Sequence, residues 1–91
     1  MVQSLFYRVG MADFSGDLET GEGLVHFTFS RIYTVNGPVY FTTAIRRSTN
    51  HNFHMVKNEG TWKIAHAPMP PNWVLACEAE LARIIEAHHK G

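Results

Sequence analysis

The sequence predicts a small α+β domain: an antiparallel sheet of about five strands, then one C-terminal amphipathic helix, in the order β-β-β-β-β-α. Three observations carry this. Residues 24–47 form two arms rich in β-branched and aromatic residues around the turn signal Asn36-Gly37-Pro38. Residues 53–64 repeat that arrangement around Asn58-Glu59-Gly60. From Trp73 to His89 the chain has neither Gly nor Pro, and its apolar residues recur at three-to-four spacing.

The first strand is expected over about residues 4–12, where Leu5, Tyr7, Val9 and Met11 alternate with Phe6, Arg8, Gly10 and Ala12. Asp13 to Gly23 is rich in acids and glycines and reads as a solvated connection. It fails as a calcium loop. Asp13, Ser15 and Asp17 occupy the first, third and fifth positions of an EF-hand, but Leu18 and Leu24 stand where Gly and Glu are required.

The long hairpin follows, with strands over about residues 24–35 and 39–47. In its first arm Val25, Phe27, Phe29, Arg31 and Tyr33 share a face that is apolar except for Arg31. In the second arm Val39, Phe41 and Ile45 share a face with Thr43, while Tyr40, Thr42, Ala44 and Arg46 share the other. A two-residue loop, Asn36-Gly37, pairs Tyr33 with Tyr40. A three-residue loop, Asn36 to Pro38, pairs Val35 with Val39, Tyr33 with Phe41 and Phe29 with Ile45. The second register sets apolar against apolar and is the expected one.

The next strands are expected over about residues 52–57 and 61–65. A type I turn with Gly60 in the left-handed region, forming a bulge, brings Phe53 and Met55 to the same side as Trp62 and Ile64. His66 to Pro71 is a stiff connector, because Pro68, Pro70 and Pro71 restrict the backbone. Asn72 is the expected N-cap of a helix over about residues 72–89. Val74, Cys77, Leu81, Ile84, Ile85 and His88 form its buried stripe. Glu78 and Glu80 lie toward its N-terminus, and His88, His89 and Lys90 toward its C-terminus, which complements the helix dipole.

A helix about 10 Å wide lies against a sheet of strands about 4.8 Å apart. Part of the aromatic face is therefore expected to stay bare unless a second subunit covers it. This predicts a homodimer, with Phe27, Phe29, Tyr33, Phe41, Trp62 and Trp73 as the candidate interface.

Ninety-one residues make a single domain, residues 1–91, with a thin core. A hydrophobic content of 45%, with 12% aromatic residues, excludes disorder. Eight basic and eight acidic residues cancel, so no bulk charge drives the chain toward nucleic acid or an anionic membrane. The single cysteine, Cys77, has no intramolecular disulfide partner and reads as a buried thiol. There is neither a secretory leader pattern at the N-terminus nor a run long enough for a membrane span, so a soluble cytoplasmic protein is expected.

No motif points to catalysis. The phosphate loop, the dinucleotide fingerprint and the nucleophile elbow are missing, and Cys77 sits mid-helix, where no helix N-terminus stabilises a thiolate. No enzyme activity and no cofactor are therefore expected. The six histidines lack metal-ligand spacing: His51 and His54 fall on opposite faces of a strand, and His88 and His89 diverge on a helix. His26 and His66 have no neighbouring ligand pair. A single-stranded nucleic-acid surface needs aromatics beside cations. Tyr40, Arg46 and Arg47 are the candidates, opposed by zero net charge and an acidic preceding loop. A small apolar ligand between sheet and helix is a further alternative, lined by Trp62, Trp73, Phe27, Phe29, Phe41 and Met55.

The stretch Phe53-His54-Met55-Val56-Lys57-Asn58-Glu59-Gly60-Thr61-Trp62-Lys63-Ile64 resembles the closing hairpin of nuclear transport factor two-like domains, where a Gly-x-Trp-Lys-Ile run is frequent. It covers about an eighth of the chain. Those domains are longer and begin with helices, whereas this chain is expected to begin with a strand and end with a helix. The resemblance thus implies a hairpin and no residue roles. The expected function is a non-catalytic protein-interaction or assembly module acting as a homodimer. The alternatives are single-stranded nucleic-acid binding on the open sheet face and apolar-ligand binding.

Overall fold

The structure is a computed structural model that describes residues 12–89. Five antiparallel strands form one curled sheet in sequence order: β1 (Phe14–Thr20), β2 (Gly23–Thr34), β3 (Gly37–Arg46), β4 (Thr49–Asn58) and β5 (Thr61–Ile64). Two helices follow, α1 (Asn72–Leu75) and α2 (Glu78–His88). The predicted fold class, a small α+β domain with an antiparallel sheet and a C-terminal helix, is the one observed. The strand expected over about residues 4–12 lies outside the described residues, except for Ala12, which is not in a strand.

The edge strand β1 comes from the stretch that reads as a solvated connection. Phe14, Gly16 and Leu18 alternate toward the helix with Ser15, Asp17 and Glu19 toward solvent, and the register pairs Phe14 with Phe29 and Leu18 with Val25. An edge strand with one wet face needs few apolar residues. The acids and glycines that suggest a loop are its solvent row and its close-packing points. A Cβ on Gly16 would meet Ile84 Cδ1 at 3.1 Å, so the missing side chain lets the helix approach β1.

The turns also differ from expectation. Thr34 pairs with Gly37 across the loop Val35-Asn36, and Thr20 pairs with Gly23 across Gly21-Glu22. Both loops are built alike. The Thr34 hydroxyl donates to the Gly37 carbonyl (2.8 Å) and accepts the Asn36 amide (3.1 Å); Thr20 does the same with Gly23 (2.7 Å) and Glu22 (3.0 Å). Gly37 and Gly23 take positive φ, +113° and +94°. The anchoring threonine, rather than the Asn-Gly pair, sets the loop. At Glu59-Gly60 both residues have positive φ, +53° and +83°, which makes a two-residue hairpin turn instead of the expected bulge. An even loop pairs odd with even positions, so Met55 opposes Ile64 and the predicted shared face is retained.

The β2–β3 register corrects the expected pairing. Phe29 opposes Thr42 and Phe27 opposes Ala44, whereas Phe41 opposes Ser30 and Ile45 opposes His26. The inward residues of β3 are therefore Tyr40, Thr42 and Ala44, all fully buried, and Phe41 points away, 45% exposed. β3 is the central strand. Thr42 and Ala44 are small, so the central strand adds little volume to a core that already holds Phe27, Phe29, Phe53, Trp62, Leu81 and Ile85.

Of the predicted helical stripe, Val74, Cys77, Leu81 and Ile85 are buried, Ile84 is half-buried against the core and His88 is exposed. The helix is not continuous as predicted. A turn at Ala76-Cys77, closed by the Cys77 amide on Val74 O at 2.8 Å, separates α1 from α2, and neither Gly nor Pro marks it. The N-cap is Pro71 and not Asn72, with the Val74 and Leu75 amides both reaching the Pro71 carbonyl.

A single helix reaches from β5 to β1 across the inner face. Helix α2 lies across the strands. At one end Glu78 Oε2 accepts the Ile64 amide of β5 at 2.8 Å. At the other, Ile84 sits on Gly16 and His88 stacks on Phe14, both of β1. Eleven residues at about 1.5 Å each span about 16 Å, close to the four gaps of about 4.8 Å in the sheet. Helix length, not width, does the covering. Phe27, Phe29, Phe53, Met55 and Trp62 are all 1% exposed or less, so these core residues offer no surface to a second subunit.

Candidate functional site

The face turned away from the helix carries Leu24, Ile32 and Phe41 among the exposed large apolar residues; Tyr33, Val35 and Met69 are exposed elsewhere. Its rows run straight across the strands. Ile32, Val39 and Val56 stand side by side on β2, β3 and β4, with Lys63 of β5 beyond them. The next row is Ser30, Phe41 and His54, the next Thr28, Thr43 and Asn52, and the last His26, Ile45 and Asn50. Ile32 and Phe41 are 41% and 45% exposed. Phe41 stacks on His54, with ring centroids 4.6 Å apart, and Thr43 donates to Asn52 Oδ1 at 2.7 Å. The face thus grades from an apolar band at one end to a hydroxyl-and-amide band at the other. That second band, with Ala12, Phe41 and Ile45, lines a shallow cleft of about 450 Å³.

The six candidate interface residues do not form one surface. Phe27, Phe29 and Trp62 are core, Trp73 is half-buried against the core, and Tyr33 and Phe41 are exposed on opposite sides of the sheet. The nucleic-acid candidates are also dispersed. Tyr40 is fully buried under α2, which corrects its expected place on an open face and leaves no ring for a base to stack on. Arg46 is held by Glu22, through its carboxylate at 3.2 Å and its carbonyl at 3.2 Å. Arg47 is exposed in the β3–β4 turn with φ +55°. Phe27, Phe29, Met55 and Trp62, expected to line an apolar pocket, pack among the core residues.

The histidines spread out. His26 pairs with Asp17 at 2.5 Å, His51 meets the Trp73 ring edge-on, His54 lies on Phe41 and His88 on Phe14. Among the described residues no three of His, Cys, Asp and Glu gather into a metal site. Burial pushes the Cys77 thiol up, with Glu80 adding to it, so the thiolate is disfavoured.

A second feature escaped the sequence reading. Arg31 breaks the apolar row of β2, and that break is its signal. Arg31 Nε donates to Tyr40 Oη at 3.0 Å and Nη1 donates to Tyr33 Oη at 2.8 Å, with the guanidinium 5.6 and 5.7 Å from the two ring centroids. The two hydroxyls hold the Arg31 basicity above its ordinary value, Tyr33 contributing most. Tyr40 passes the network on to His89 Nδ1 at 2.9 Å. Desolvation, then the charges of Arg31 and Lys57, lower the His89 pKa, which favours its neutral ring.

No protein family, curated protein or solved structure matches the chain. No helix among the described residues is long and apolar enough to cross a membrane.

Proposed function

We propose that this protein is a non-catalytic assembly module that joins a second copy of itself through the outer sheet face. One observation carries the reading: the apolar row Ile32, Val39 and Val56, with Phe41 beside it, lies on the face that the helix does not cover. Apolar residues in straight cross-strand rows suit sheet-on-sheet packing. The charges at the margins favour a like partner. Asp17 and Glu19 project from β1 on one side of this face and Lys63 from β5 on the other. A two-fold axis parallel to the strands lays β1 of one copy over β5 of its partner, acid over base; an axis across the strands would set acid on acid. The face measures roughly 24 by 30 Å, near the size of about 800 Å² per partner typical of stable interfaces. In this reading the protein works in the cytoplasm, where the lone Cys77 stays a thiol.

The test is thermal unfolding of the wild type and of Phe41→Asp over a hundredfold range of protein concentration. The wild-type midpoint should rise with concentration, because association stabilises the folded state by mass action. Phe41→Asp should fold and lose that dependence. A concentration-independent wild type contradicts the proposal, and so does an outer face covered by the chain's own residues 1–11.

A further inference from the structure

The geometry points to a binding site for a small aromatic monocarboxylate at the mouth between β2 and the C-terminal end of α2, with Arg31 as the anion anchor. A cleft of about 420 Å³ opens there, lined by Asp13, Phe14, Arg31, Tyr33 and His88. That is a small-molecule volume.

Arg31 is prepared for an anion. A guanidinium carries five N–H donors. Two of its nitrogens are engaged by tyrosine hydroxyls, and among the described residues no carboxylate lies within ion-pair distance of it. Neutral hydroxyls orient the fork without cancelling its charge. The remaining donors match the two oxygens of a carboxylate. Because Tyr33 and Tyr40 already fix the side chain, little of its rotamer entropy is left to lose on binding.

The walls choose the rest of the ligand. Phe14 and His88 stack face to face, with centroids 4.4 Å apart and planes 6° apart, and His88 is pinned through Nδ1 to the Ile84 carbonyl at 3.0 Å. Phe14 is itself sandwiched between His88 and Phe29, so the flat aromatic surfaces beside the anchor come from the exposed His88 and from the Tyr33 ring. Asp13 selects against a higher charge. Its Oδ2 accepts the Arg31 backbone amide at 2.6 Å, which places a carboxylate in the wall. One guanidinium facing one carboxylate suits a monoanion better than a phosphate dianion.

The test is an NMR titration of the full chain with benzoate, benzamide and inorganic phosphate in parallel. Benzoate should give saturable shifts at Phe14, Arg31, Tyr33 and His88, and bind about tenfold more tightly than benzamide or phosphate. Arg31→Lys should weaken benzoate about tenfold, because a point charge replaces the fork. Tyr33→Phe, which removes one exposed hydroxyl and leaves the core intact, should weaken it about threefold by freeing the guanidinium. The inference is overturned if benzoate gives no saturable shift at these residues, if benzamide binds as well, if phosphate binds more tightly, or if both variants bind benzoate as the wild type does.

Discussion

The two faces of one sheet follow opposite rules. On the inner face aromatic residues from four strands meet α2, and Phe27, Phe29, Tyr40, Phe53 and Trp62 are essentially inaccessible. On the outer face the same strands show Ile32 and Phe41 more than 40% exposed beside hydroxyls and amides. β3 divides its residues between the two against simple hydrophobicity, giving Thr42 and Ala44 to the core and Phe41 and Ile45 to the outside. The comparison teaches that the space beneath the helix, and not the apolarity of a strand's two sides, decides which side turns inward. It also leaves apolar surface outside that the helix cannot use.

The largest expected effect lies in the core. Phe29→Ala should cost about 3–5 kcal/mol in urea unfolding, and Phe41→Ala below the dimerising range should cost under about 1 kcal/mol. Equal losses would erase the distinction between the faces. The next effect is at the close approach of helix and edge strand. Gly16→Val drives side-chain atoms toward Ile84 and should cost about 1–3 kcal/mol by overpacking. A neutral result would mean that α2 does not depend on β1 for its position.

The smallest effect is a pH dependence. The His89 pKa is lowered from an ordinary 6.5 by burial, then by Arg31 and Lys57, with Glu86 opposing. The folded protein therefore holds this proton less tightly than the unfolded chain does. The contribution is complete above pH 6.5 and is lost as the pH falls below it toward the folded value. His89→Gln should flatten the part of the stability profile that lies below about pH 6.5. A slope identical to the wild type would remove His89 from the account.

Much of the architecture was legible in the sequence. The β4–β5 hairpin, the core face of Phe53, Met55, Trp62 and Ile64, and the stripe Val74, Cys77, Leu81 and Ile85 all follow from local periodicity. What was hidden depends on partners distant in sequence. β1 shows a single row of two apolar residues and a glycine, meaningful only under Ile84. The β2–β3 register rests on the Thr34 hydroxyl that closes its loop. The crossing direction of α2, fixed by Glu78 on Ile64 and His88 on Phe14, has no local signature. The Arg31 cluster joins residues from β2, β3 and the end of α2, and only the lone charge in an apolar row announces it.

The most direct test of the outer-face account is the solution mass of the wild type by light scattering over a range of concentrations. The account predicts a mass that approaches twice the 10.3 kDa of one chain as concentration rises. A mass that stays at one chain throughout would contradict it and leave Ile32 and Phe41 as ordinary exposed surface.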